Sequence, residues 1–94
     1  MSKTFRFLVP DVKECEFPEI RKDDGAVVRC EIHSENEVCI IGNSLGLAYL
    51  AKHFAAMALL EKKNGLHLHL EPLTGELESG SAVLTICNLD FGFG

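Results

Sequence analysis

Cys39-Ile40-Ile41-Gly42-Asn43-Ser44-Leu45-Gly46-Leu47 is the stretch on which the fold of this 94-residue chain turns. Val38 to Ile41 is β-branched apart from Cys39 and reads as a buried strand. Gly42-Asn43 breaks it, and Asn43 or Ser44 is placed to cap a helix by accepting from the free amides of its first turn. Gly46 weakens that first turn unless the backbone must approach something closely, and a neighbouring strand is the expected neighbour. Leu47, Leu50, Ala51, Phe54, Met57 and Ala58 recur at amphipathic spacing, and Asn64-Gly65 supplies a left-handed stop. Burying Leu47, Leu50, Phe54 and Met57 at about 1.5–3 kcal/mol each would make this stripe the main source of core energy. Tyr49, His53, Ala56 and Leu60 form a second apolar stripe, which calls for cover by the N-terminal arm or by a second copy of the chain.

Strands flank this unit on both sides. Val28, Cys30 and Ile32 alternate with Arg29, Glu31 and His33, giving a half-buried strand that pairs with Val38–Ile41 as an antiparallel hairpin. A two-residue loop, Glu35-Asn36, would set Ile32 opposite Cys39 and Cys30 opposite Ile41, whereas a loop one residue longer turns Val38 and Ile40 inward. After the helix, Leu66-His67-Leu68-His69-Leu70-Glu71 alternates strictly and Pro72 ends it. Leu73 to Gly80 reads as a loop and Ser81 to Asn88 as a last strand. Phe5 to Val9 is a short candidate strand closed by Pro10. Asp11 to Asp24 carries six acids, three bases and Pro18 without a sustained period, an irregular acidic arm.

The predicted architecture is a single α+β domain of two layers: an antiparallel sheet of four to five strands with one long helix packed on one face. Residues 27–90 form a ββαββ core, residues 1–26 an extra N-terminal strand and arm, and residues 91–94 a tail. Ninety-four residues support one modest core. Nine Lys and Arg against fourteen Asp and Glu give a net charge of −5, which disfavours nucleic acid as a partner. Cys15, Cys30, Cys39 and Cys87 form no C-x-x-C pair and read as small core residues with reduced thiols. With no signal peptide and no apolar run near ~20 residues, a cytoplasmic location away from membranes is expected.

Two stretches invite chemistry. His67, His69 and Glu71 share one strand face, a plausible ligand set that His33 could complete, although a solvated face suited to partner contact explains the same pattern. Ile41 to Gly46 is a strand, turn and helix N-terminus, but it lacks the dinucleotide fingerprint and the P-loop lysine, so a tight turn with a cap suffices. No nucleophile–base pair stands out, and neither a catalytic residue nor a cofactor is expected.

Ile41-Gly42-Asn43-x-x-Gly46-Leu47-x-x-Leu50-Ala51, followed by Leu68-His69-Leu70-Glu71-Pro72 and a final strand, resembles the immunity protein 32 family of bacterial polymorphic toxin systems over roughly residues 27 to 90. The family's acidic residue in the first helical turn has no counterpart at Ser44-Leu45, so the cap leans on Asn43, and the acidic arm lies beyond the shared part. The resemblance implies a non-catalytic inhibitor that binds and neutralises a cognate toxin domain. An acidic domain suits a basic toxin. Arg29, Glu31, His33, His67, His69 and Glu71 are the expected partner-binding residues. The competing readings are a small metal- or ligand-binding domain built on His67, His69 and Glu71, and a homodimer associating through Tyr49, His53, Ala56 and Leu60.

Overall fold

The computed structural model describes residues 1–9, 19–59 and 68–91. Strands β1 (Val28–Ser34) and β2 (Glu37–Gly42) lead into helix α1 (Ser44–Ala58), which is followed by β3 (Leu68–Leu70), β4 (Leu84–Ile86) and a short 3-10 turn at Leu89–Phe91. The α+β class and the ββαββ order hold, but the sheet does not. Among the described residues there are, instead of one ladder of four to five strands, two antiparallel ladders of two, β1–β2 and β3–β4. Residues 78–82 bridge them: Glu78 N donates to Val28 O at 2.9 Å and Ala82 N to Cys30 O at 2.8 Å. Cys30 N donates in turn to Ser81 Oγ at 2.8 Å. The expected strand at Phe5–Val9 is absent from residues 1–9. That segment lies beside the end of α1, where Phe5, Arg6, Phe7 and Leu8 line a cleft with Ala55 and Leu59.

The junction of β2 and α1 is built as its sequence suggests. Asn43 is the N-cap: its Oδ1 accepts from Gly46 N at 2.8 Å and from Val27 N at 3.1 Å, while Nδ2 donates to Gly25 O at 2.7 Å. Its own amide donates to Val27 O at 3.0 Å. One side chain therefore closes the helix and ties it to the turn before β1. Gly46 is needed because a Cβ there would stand 2.0 Å from the Val27 carbonyl oxygen. The close approach is to backbone, which cannot yield as a side-chain tip would.

That contact fixes the rotation of α1 about its axis. Gly46 faces β1, so the residues three, four, seven, ten and eleven positions on share its face. These are Tyr49, Leu50, His53, Ala56 and Met57, and all are buried. The expected stripe is half wrong: Leu50 and Met57 are inside, but Leu47 is 46% exposed and Phe54 45%. Ala51 and Ala58 are exposed with them. Tyr49, His53 and Ala56, expected to await an arm or a second copy, face the chain's own interior. The core gathers Val28, Tyr49, Leu50, Met57, Leu70, Leu77 and Ile86, with Ile20, Leu68 and Leu84 packed against it. Leu77, expected only as part of a loop, is a full core member. The helix also ends earlier than expected, with Leu59 as its C-cap, and Asn88 Nδ2 donates to the Met57 carbonyl at 2.7 Å. Leu60, the Asn64-Gly65 stop and His67 lie outside the described residues.

Candidate functional site

The β1–β2 hairpin sorts its side chains by alternation. Val28 and Cys30 are buried on the core side, and Arg29, Glu31 and His33 point the other way. The turn is the shorter of the two expected, but the register behind it is that of the longer one, with Val38 and Ile40 turned inward beside Ile32 and Cys30. Ser34 pairs with Glu37 across a two-residue turn, Glu35-Asn36, as the shorter loop requires. An irregularity between Ile32 and Ser34 then leaves His33 unpaired in the ladder, so that Ile32 pairs with Val38, Cys30 with Ile40 and Glu31 with Cys39. A bulge adds one residue to a strand and re-aims its side chain. Here it delivers His33 onto the same outer face as Glu31, Glu37 and Cys39.

These side chains form a connected line. Arg29 Nε donates to Glu31 Oε2 at 2.5 Å, and Glu31 Oε1 lies 2.9 Å from His33 Nε2. On the other side of the imidazole, Nδ1 is 3.3 Å from Glu37 Oε1 and 3.4 Å from Cys39 Sγ, and that sulfur is 3.9 Å from Glu37 Oε1. The hydrogen bond from Arg29, and after it that from His33, holds the Glu31 carboxyl below the usual glutamate range. The same bond and the charge of Glu31 raise the Arg29 guanidinium. Glu37 and Cys39 were not among the expected site residues. Their signal was the alternation Glu37, Cys39, Ile41, which places carboxylate and thiol on one strand face, but only the bulge turns His33 toward them.

Two of the remaining expected residues, His69 and Glu71, stand on or just past the second ladder. His69 is exposed at the centre of β3, opposite Thr85, and its Nδ1 lies 2.8 Å from Thr85 Oγ1. Glu71, just past β3, lines a shallow surface hollow with Pro72, Leu73, Ser79 and Val83. The structure thus brings Arg29, Glu31 and His33 together and sets His69 and Glu71 on a separate face. Among the described residues the ligating atoms that converge are those of His33, Glu37 and Cys39, all within 4.8 Å of one another. Of the expected His67, His69, Glu71 set, His67 lies outside the described residues.

The hairpin also carries apolar surface that the core does not reach. Ile32, Val38 and Ile40 extend the inner face of the hairpin past the core and are 69%, 61% and 42% exposed. No helix among the described residues is long and apolar enough to cross a membrane.

Fold and surface together define a small α+β domain that presents charged, imidazole and apolar side chains on open strand and helix faces. The chain belongs to the immunity protein 32 family, whose sequence profile matches residues 37–89, more than half of the chain. That match takes in the β2–α1 junction and both strands of the second ladder, and it begins after β1. No curated protein and no solved structure matches the chain.

Proposed function

We propose that this chain is an immunity protein that binds a cognate toxin domain and neutralises it by occupancy, without catalysing a reaction. The observation that carries this reading is the family match, with its β2–α1 junction and histidine-bearing β3. The surfaces support it. Large apolar side chains left open beside charged ones mark protein–protein contact, the apolar groups supplying affinity and the charges orientation. Arg29, Glu31 and His33 on β1, His69 on β3, Glu71 just past it, and His67 are the residues assigned to the toxin. With a net charge of −5 the partner is a basic domain, and the encounter takes place in the cytoplasm of the producing cell.

Co-expression with the toxin domain encoded beside its gene tests the proposal. The wild-type chain should restore growth of cells producing that domain and co-purify with it. Glu31→Lys, which reverses one charge in the line, should weaken the complex and slow its formation at low salt. A toxin domain equally lethal with and without the chain would overturn the reading.

A further inference from the structure

We propose that His33 Nδ1, Glu37 Oε1 and Cys39 Sγ form a binding site for a divalent transition-metal cation, Zn2+ above all, on the outer face of the β1–β2 hairpin. The inference does not rest on toxin binding, although His33 and Glu31 belong to both surfaces.

The separations of the three atoms are those of a shared ion. Zn2+ binds sulfur, imidazole nitrogen and carboxylate oxygen at about 2.0–2.3 Å, which sets tetrahedral ligand atoms about 3.3–3.7 Å apart. The edges of this triangle are 3.3 Å, 3.4 Å and 3.9 Å, so a shift of a few tenths of an ångström at an exposed carboxylate closes it. All three ligands come from one turn, within seven residues of sequence, and the bulge that aims His33 holds them without long-range support.

The imidazole is prepared on its far side as well. A histidine bound to a metal through one nitrogen commonly donates its other N–H to a carboxylate, which fixes the tautomer and raises its basicity. His33 Nε2 stands 2.9 Å from Glu31 Oε1, and Arg29 holds that carboxylate in place. Glu31 is then a positioning residue, not a ligand.

In this cluster His33 Nδ1 is shared between the Cys39 sulfur and the Glu37 carboxylate. His33 lies between two carboxylates, Glu31 and Glu37, both of which only accept. A neutral ring that donates Nε2–H to Glu31 turns its Nδ1 lone pair both to the Cys39 thiol, which can donate to it, and to the Glu37 carboxylate, which cannot. An imidazolium removes that clash but turns its second proton toward a point that Cys39 Sγ also faces. With a cation at that point, Nε2–H donates to Glu31 while the Nδ1 lone pair, the Glu37 carboxylate and the Cys39 thiolate all bind the metal. The thiol proton leaves to solvent on binding, so affinity rises with pH. The mixed donor set suits Zn2+ or Co2+ and not Mg2+ or Ca2+, which take oxygen. Three protein ligands leave a fourth position for water or a partner's side chain.

Titrating the metal-free, full-length protein with Co2+, and then displacing it with Zn2+, tests the site. One ion per chain should bind, giving visible bands of tetrahedral cobalt and a thiolate-to-cobalt band in the near ultraviolet. Cys39→Ser should abolish the thiolate band, and His33→Ala should lower affinity by about tenfold or more. Cys87→Ser should leave both intact. Circular dichroism checks that each variant is folded. A thiolate band that survives Cys39→Ser, or wild-type binding no tighter than that of the His33→Ala, Cys39→Ser double variant, would overturn the site and leave the three side chains joined by hydrogen bonds alone.

Discussion

His53 is buried in the core, and neither ring nitrogen has a hydrogen-bond partner among the described residues. Its ring meets Tyr49 edge-on, with centroids 4.6 Å apart, and so behaves as an aromatic packing piece. Burial lowers its pKa below the ordinary 6.5, and the nearby charge of Glu76 opposes this only in part. The consequence for stability has a definite sign. Above pH 6.5 the ring is neutral in both folded and unfolded chains and contributes no pH dependence. As pH falls below 6.5 the unfolded chain takes up a proton that the folded chain refuses, and stability is lost until the folded pKa is passed. Glu31, with its lowered pKa, adds a second loss that begins only as pH falls through the ordinary carboxylate value of 4.5. His53→Leu removes the first term and leaves the second. Urea unfolding midpoints measured between about pH 7.5 and 5 should therefore fall less for His53→Leu than for the wild type. Equal falls would mean that His53 is solvated or paired.

At the scale of the element, α1 shows what a helix does when it is apolar on two sides. Either stripe could have faced the core, and Gly46 against the Val27 backbone selects the one containing Tyr49. Truncations across the two stripes separate them. Tyr49→Ala should cost about 3–5 kcal/mol, as expected for a large aromatic removed from a core. Phe54→Ala, on the open side, should stay within roughly 0.5 kcal/mol, the usual range for a surface change. Urea denaturation of the two variants decides between the stripes, and a large loss at Phe54 would return the helix to the orientation its leucines suggest. The β1–β2 hairpin follows the same logic on a smaller scale. Its two-residue turn is dictated locally, but the bulge at His33 shifts every pair behind it and so decides which polar groups meet.

Across the whole molecule, the two ladders are joined by the segment 78–82 laid along β1, and Ser81 is the link between them. Its hydroxyl accepts from the buried Cys30 amide at 2.8 Å and lies 2.8 Å from Ala82 O and 3.3 Å from Cys30 O. Removing it leaves a half-buried amide without its acceptor. Ser81→Ala should cost about 1–3 kcal/mol. Hydrogen exchange should quicken at Cys30 before it does elsewhere in β1, and an unchanged exchange rate there would show that the ladders do not depend on this link.

The sequence by itself determined the ββαββ order, a helix cap at Asn43 or Ser44, the need for glycine at position 46, the polar outer face of β1 and the family. The order of elements, the cap and the strand face rest on contacts within a few residues or on an alternation that any half-buried strand imposes, while the glycine in a helix's first turn announces a close approach without naming its partner. Tertiary structure alone decided which face of α1 is the core, that Leu77 reaches inward from a loop, and that the strands divide into two ladders. It also decided the candidate metal group. Cys39 and Glu37 share a strand face by alternation, but a ligand set is a matter of atoms within a few ångströms. Only the extra residue in β1 turns His33 to meet them. The junction from Ile41 to Gly46 belongs to both accounts: its residues announce a strand ending in a capped helix, and the Val27 carbonyl against Gly46 settles which way that helix faces.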